Sequence, residues 1–385
     1  MTMPLRERAL LPLIALQGAV ATLGGFIGYF TMAEQNVHAM FRFTATMLTT
    51  AMASTLLAYV LGPRLQLSSV RLMRLGFLLP GILLLCAPQS PLALAMAFGI
   101  YLGSTWGARH WLEMSLFANS ERDRYAARAG TVSVVLSVLT TLAVTGMLAM
   151  LTERSDYVYR LYGVLCVMGA LLLGRQLPHE PFAPLCDPVA IVRQPQFIAC
   201  LPLFFLESGL FGISQAMTSA GASEALGSAS RFGWVATLAG MAGCVALYLT
   251  RRKRGVDNRA AWLGGSCLVV GSAFLMLGAS VWIPALYIVY SVLKAAGSPF
   301  LIASEQVLNQ RTLDIEGSLS DRILAREITL WVLRMTSLGL FWMLAGSLTP
   351  KQVVVSGSLI LACATLLEYV IGRAWFVDAG NTQAA

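Results

Sequence analysis

Charge is what this sequence has least of. Only 12% of its 385 residues are Asp, Glu, Lys or Arg, where soluble domains carry about 25%, and 57% come from the hydrophobic set. A chain so poor in charge cannot clothe itself in water, and a soluble globular fold is excluded. Histidine is nearly absent as well: His38, His110 and His179 lie far apart, without the spacing of metal ligands. The seven cysteines include no C-x-x-C pair, and all but Cys186 stand singly inside apolar runs, the pattern of small packing residues. No G-x-x-x-x-G-K-[ST] loop occurs, which argues against ATP as a direct energy source. Neither a metal, a cofactor nor an enzymatic activity is expected. The basic excess, 27 Lys and Arg against 19 Asp and Glu, follows the loops rather than one face, so it is not read as a nucleic-acid footprint.

What is abundant is apolar sequence in runs of roughly 20 residues, the length that crosses about 30 Å of hydrocarbon as a helix. Twelve runs are read, at 9–32, 41–61, 72–87, 92–117, 127–151, 157–177, 197–219, 231–250, 260–279, 282–308, 325–347 and 353–376. The first follows Arg6 and Arg8, has no small-residue cleavage site behind it, and is expected to be a span rather than a removed signal. If the runs alternate across a bilayer, Arg64, Arg71, Arg74, Arg122, Arg124 and the cluster from Arg251 to Arg254 fall on one side. The other side receives Arg42, Arg154, Arg160, Arg231 and Lys351. The positive-inside rule then puts both termini in the cytoplasm. The expected fold is an all-α integral membrane protein of twelve transmembrane helices, and its short loops suit a bacterial inner membrane.

The Pro-rich stretch 178–196 parts six runs from six, giving an N-terminal bundle (1–177), a cytoplasmic linker and a C-terminal bundle (197–385). The two halves echo each other. Gly107 to Glu113 closes span 4 and Gly297 to Glu305 lies in span 10, each followed by a charged loop and an Arg entering the next span, Arg128 and Arg326. After span 2 comes Gly62-Pro63-Arg64-Leu65-Gln66, and after span 8 a basic cluster. In these features, over its whole length, the chain resembles the major facilitator superfamily, with Gly62 at the family's loop glycine and Gln66 where that family carries an acid. The resemblance implies two six-helix halves that alternate access by rocking, with spans 1, 4, 7 and 10 lining a central cavity.

A charged group deep in a span costs at least about 2.5–3.5 kcal/mol, so such groups usually face a polar cavity. Arg109, Glu207, Lys294, Arg334 and Glu368 are the deep ones. With the implied lining, Gln17, Arg109, Glu207 and Lys294 converge. Gln17, Arg109, Lys294 and Arg334 are read as substrate-binding, the bases gripping an anionic group. Glu207 is read as a proton carrier, switching its charge as a neighbouring Lys294 is taken by substrate; the alternative is a permanent pair of Glu207 with Lys294 or Arg334 that only fixes packing. Arg109 and Glu113 share a helix face and can pair. Glu113 and Glu305, near the cytoplasmic ends, are expected to meet Arg128 and Arg326 as a gate. His110, beside Trp106 and Trp111, is read as a packed histidine.

The expected function is secondary transport of a small organic anion, with a proton as the candidate coupling ion and the lipid bilayer as the only other partner of a monomer. Within that class the alternative is a neutral, zwitterionic or siderophore-like amphiphilic solute held by Glu207 and Lys294 together. From other classes stand an intramembrane enzyme on lipid-linked substrates and a transport-like fold kept as a sensor or assembly protein.

Overall fold

A computed structural model of the chain describes residues 5–117, 119–150, 153–175, 177, 180–250, 258–312 and 315–382. The basic cluster from Arg251 to Arg254 and His179 lie outside the described residues, as do the side chains of Arg122 and Arg124. The described residues are nearly all helical, and the one β feature among them is an isolated bridge between Ser68 and Pro181.

The helices are α1 (Leu5–Ala21), α2 (Leu23–Glu34), α3 (Val37–Leu61), α4 (Ser69–Cys86), α5 (Pro91–Leu116), α6 (Asn119–Met150), α7 (Ser155–Leu172) and α8 (Pro188–Val192). There follow α9 (Pro195–Phe204), a π turn (Phe205–Gly209), α10 (Phe211–Leu226), α11 (Ala229–Thr250), α12 (Arg259–Ala279), α13 (Ala285–Thr312), α14 (Leu319–Ala345) and α15 (Pro350–Thr382). Side-chain caps set several starts by filling backbone N–H groups that have no helical partner. Asn36 accepts from the Ala39 amide at 3.0 Å, Ser68 from Arg71 at 3.3 Å, and Ser318 from Asp321 at 3.1 Å. These caps carry α3 and α14 several residues beyond the apolar runs expected at 41–61 and 325–347. A helix ends where its amides are satisfied, not where its hydrophobicity does.

Among the described residues, ten helices or joined helices are long and apolar enough to cross a membrane, with α1 and α2 joined as Arg8–Glu34 and α9, the π turn and α10 as Pro195–Leu226. The expected spans 4 and 6, now α5 and α7, are outside that count; each carries two charged residues, Arg109 and Glu113 in one and Asp156 and Arg160 in the other. Large apolar side chains such as Leu57, Leu139, Leu249, Leu268 and Met343 stand exposed on the outer faces of the helices, where only hydrocarbon would tolerate them. The chain is a multi-pass integral membrane protein.

Packing depends on small residues, because hydrocarbon gives helices no hydrophobic reason to associate. α3 lies directly on α5: a Cβ added at Gly103 would sit 2.1 Å from the Ala51 carbonyl oxygen, and one at Gly99 would sit 2.5 Å from that of Met47. The closeness lets Thr55 Oγ1 donate to the Gly103 carbonyl and the Tyr59 hydroxyl to that of Gly107, both at 3.1 Å. α4 packs on α5 and α7, and α1 on α6; α12 packs on α13 and α15, and α11 on α13. The two sets meet along α6 with α11, α3 with α14, and α2 with α10.

Between α7 and α8 the chain forms a strap. Ser69 N–H donates to the Glu180 carbonyl at 3.1 Å, and the buried Phe182 ring sits 5.1 Å from Tyr59 and 5.2 Å from Trp111. A few residues on, Asp321 at the start of α14 accepts from the Cys186 amide at 3.0 Å and the Asp187 amide at 3.2 Å. The prolines do not keep this stretch free of helix: Asp187 caps α8 and Pro188 takes its first position, where a missing N–H costs nothing.

Gly103→Ala should lower stability by about 1–3 kcal/mol, the usual effect of overpacking, whereas Gly146→Ala, with nothing within 4 Å of the added carbon, should leave it unchanged. Thermal unfolding of the two variants in detergent checks this.

Candidate functional site

Two polar clusters and one isolated lysine lie inside the helical body. The first joins α1 to α5. Gln17 is buried, donates from Nε2 to Thr105 Oγ1 at 3.1 Å and accepts at Oε1 from Arg109 Nη1 at 3.1 Å. Arg109 Nε in turn bonds Glu113 Oε1 at 2.7 Å, and its guanidinium lies 4.9 Å from the centre of the Trp106 ring. The i, i+4 spacing on α5 brings this pair onto one face, and Gln17 consumes a further donor. Gln17 and Arg109, expected to converge, do so, and the charge of Arg109 is already met by Glu113.

The second cluster is built by an irregularity in the backbone. Pro202 lacks the N–H that a helix needs, and a few residues later the chain widens into the π turn Phe205–Gly209, which points Glu207 and Ser208 inward. Carbonyls that such a turn frees need partners within the protein. α14 supplies them: Ser337 Oγ donates to the Gly209 carbonyl at 2.5 Å, and Arg334 Nε donates to the Ser208 carbonyl at 3.3 Å and to its hydroxyl at 3.1 Å. No carboxylate pairs with Arg334 within salt-bridge distance among the described residues, and Phe211 lies 5.8 Å below its guanidinium. Nearer the start of α14, Arg326 bonds Glu327 at 2.7 Å.

Glu207 Oε2 is buried without a hydrogen-bond partner, and Glu207 lies within electrostatic reach of Arg326, Arg334 and two further acids, Glu305 of α13 and Glu368 of α15. Glu305 and Glu368 share a side-chain hydrogen bond. Of the four residues expected at a gate, Glu113 bonds Arg109 and Arg326 bonds Glu327, Arg128 lies half-buried in α6, and all four, Glu305 included, make further contacts.

Lys294 stands apart from Glu207, against expectation. Its ammonium donates to the Tyr290 hydroxyl at 2.9 Å and to Thr218 Oγ1 at 3.2 Å, and those two hydroxyls bond each other at 2.6 Å. Thr218 is eleven residues beyond Glu207 along the same span, about 16 Å at helical rise. The Glu207–Lys294 pair is therefore not formed, because Lys294 of α13 meets α10 well beyond the π turn. Phe274 flanks the ammonium at 5.4 Å, and no carboxylate meets it among the described residues.

Sequence reasoning missed two participants, Glu327 and Ser208. Tyr290 is four residues before Lys294, so its presence on the same face was readable. Glu327 was hidden by its position beside Arg326 at a helix mouth, although Glu327 and Arg334 are seven apart and share a face. Ser208 had no local signal at all, since its role depends on the π turn.

No family model matches the chain, and no curated protein matches it. Solved structures do. The human organic anion transporter MFSD10 (TETRAN) superposes with a TM-score of 0.61 at 14% identity, covering 96% of this chain and 100% of its own. The chain shares the fold of that transporter over nearly its whole length. The nucleoside transporter NupG gives a TM-score of 0.60 at 12% identity, over 97% of this chain and 99% of that one. A bacterial homologue of the iron transporter ferroportin in an outward-facing state gives 0.59 at 16%, over 96% and 98%. These neighbours are transporters rather than enzymes.

Removing Arg109 breaks a buried ion pair with Glu113 and takes a donor from Gln17. Arg109→Ala should cost about 3–5 kcal/mol, and Arg109→Ala with Glu113→Ala should recover most of the loss; unfolding midpoints of the single and double variants measure the coupling.

Proposed function

We propose that this protein is a secondary-active transporter of a small organic anion, coupled to protons by symport and working by alternating access. Two six-helix bundles, 1–177 and 197–385, joined by the 178–196 linker, rock about the site in a twelve-span monomer with both termini in the cytoplasm of a bacterial inner membrane. One observation carries the anion reading: Lys294 and Arg334 are interior cations held by hydroxyls and a carbonyl, with no carboxylate within salt-bridge distance among the described residues. An ammonium held only by hydroxyls has no counter-ion to compete with a ligand, and a guanidinium can offer a carboxylate or phosphate two parallel bonds. Arg109 and Gln17, already committed to Glu113 and to each other, form the wall of the site rather than its grip. Glu207, with an unfilled oxygen beside Arg334, takes up the coupling proton, and its exchange with the Glu305–Glu368 pair keeps carboxyl charge low when the cavity is empty. Glu113, Arg128, Glu305 and Arg326 close the cytoplasmic end. That one of the similar structures is an organic anion transporter supports the substrate class.

The zwitterion alternative asked Glu207 and Lys294 to grip one small solute together, and their separation weighs against it.

A thermal-shift screen of the purified protein against carboxylates, phosphates, cations, neutral sugars and amphiphiles tests the substrate class. One class of anion should stabilise, by roughly 2.7 kcal/mol at 100 times its Kd, and Lys294→Ala or Arg334→Ala should weaken binding roughly 10- to 100-fold. Stabilisation by neutral solutes alone, unchanged in both variants, would sink the anion reading. In vesicles, Glu207→Gln should make uptake of that anion indifferent to an imposed pH gradient while leaving exchange of the solute intact.

A further inference from the structure

At the end of the molecule opposite α8, one carboxylate crosses from the N-terminal set of helices to the C-terminal set. Glu153, in the short loop between α6 and α7, reaches the first turn of α11. Its Oε2 accepts from the Ala229 amide at 3.3 Å; its Oε1 accepts from the Ser230 amide at 3.3 Å and from the Ser230 hydroxyl at 2.6 Å. The next amide, Arg231, is taken at 3.2 Å by Ser228 Oγ. The orphan donors of the first turn of α11 are thus filled partly by the serine just before it and partly by a residue about 75 positions earlier in the chain. The helix dipole adds to the attraction, since its positive end faces the carboxylate.

Other contacts meet the same turn. Phe232 of α11 stacks on Tyr29 of α2 at 5.2 Å and stands edge-on to Phe26 at 5.4 Å, and a Cβ at Gly28 of α2 would lie 2.1 Å from Ser219 Oγ of α10. At the same end, Trp342 Nε1 of α14 donates to His38 Nδ1 of α3 at 3.0 Å. The ring contacts can slide and the Trp342–His38 bond joins two neutral groups; the carboxylate bonds are both directional and charged, so they either hold or break. Glu153 is also exposed and lines a cavity of about 700 Å³ with Glu34, Arg42, Arg154, Asp156 and Tyr159, so water reaches it.

We propose that Glu153 is a gating residue: by capping α11 in trans it latches shut the end of the transporter opposite α8, and its release from α11 is the step that lets that end open. The proposal rests on the reading that two halves rock. Tyr29 of α2 faces this carboxylate, with Arg231 of α11 beside Tyr29; Glu34, Arg42, Arg154 and Asp156 share its cavity, Arg154 itself held by Asp156 at 2.9 Å. The Ser230 hydroxyl bond is the chief reason that Glu153 ionises below the usual carboxylate range. A carboxyl whose pKa is depressed by the latch stabilises it at neutral pH, and that contribution is lost as pH falls through the lowered value. Acidification should therefore open this end.

The test is a distance measurement between spin labels at Gln35 and Trp282, both exposed at this end, with the exposed Cys86, Cys186 and Cys363 changed to Ser. In the parent at neutral pH the short distance should dominate, and a longer one should grow on acidification. Glu153→Gln should raise the long-to-short ratio roughly tenfold and abolish its response to pH. Ser230→Ala, which removes a single donor, should move the ratio less and in the same direction, and it keeps the question open to refutation should Glu153→Gln fail to fold. If both variants keep the parent distances at every pH while Trp342→Phe lengthens them, the latch is overturned and the rocking reading stands. If no variant, pH or stabilising anion changes the distances, both fall together.

Discussion

Within hydrocarbon a freed backbone carbonyl has no water to turn to, and that constraint organises the C-terminal set of helices. The π turn at Phe205–Gly209 releases carbonyls from the helical ladder. Ser337 and Arg334, three residues apart on α14, accept the obligation to fill them. Once α14 is fixed in this way, Arg326 and Glu327 follow about two turns away, and Glu207 is pointed toward the same interior. Arg334 therefore has a double position: part of its fork serves the backbone, and its charge has no carboxylate within salt-bridge distance among the described residues.

The two sides of the interior handle charge differently. On α5, Arg109 is surrounded by Glu113, Gln17 and Trp106, a self-contained arrangement in which a buried cation has both a counter-charge and neutral acceptors. On α13, Lys294 has only hydroxyls and ring faces among the described residues. Burying an uncompensated cation is costly, and under the proposed function an incoming anion offsets that cost. The carboxyl groups Glu207, Glu305 and Glu368 lie toward the other end of the same set, far enough from Lys294 to leave its charge unspent.

The architecture was legible because its cause is crude: runs of about 20 apolar residues and basic loops follow from solvent alone, and the reading of an all-helical membrane fold needed nothing finer. Sites were harder. Gln17 and Arg109 were named because polar residues on spans 1 and 4 are rare, and the i, i+4 spacing of Arg109 and Glu113 anticipated their bond. Lys294 was seen, but its partner was misjudged, since which turn of α10 meets α13 is set by a backbone irregularity that leaves only Pro202 and Gly209 as traces in the sequence. Glu153 escaped notice for a different reason: as a lone acid in a short polar loop it has the signature of any solvated residue, and only the arrival of α11 gives it work.

The strap between α7 and α8 has a mechanical consequence. Phe182 is wedged between Tyr59 of α3 and Trp111 of α5, while Asp187 is tied to Asp321 at the head of α14. Five peptide steps separate the two anchors, a reach of about 17 Å when drawn straight. The strap is thus a tether of fixed length bolted at both ends. It sets a travel limit: the mouths of α3 and α14 can part only until the tether is taut, and any wider stroke has to pull an aromatic ring out of its slot or strip a carboxylate from two amides.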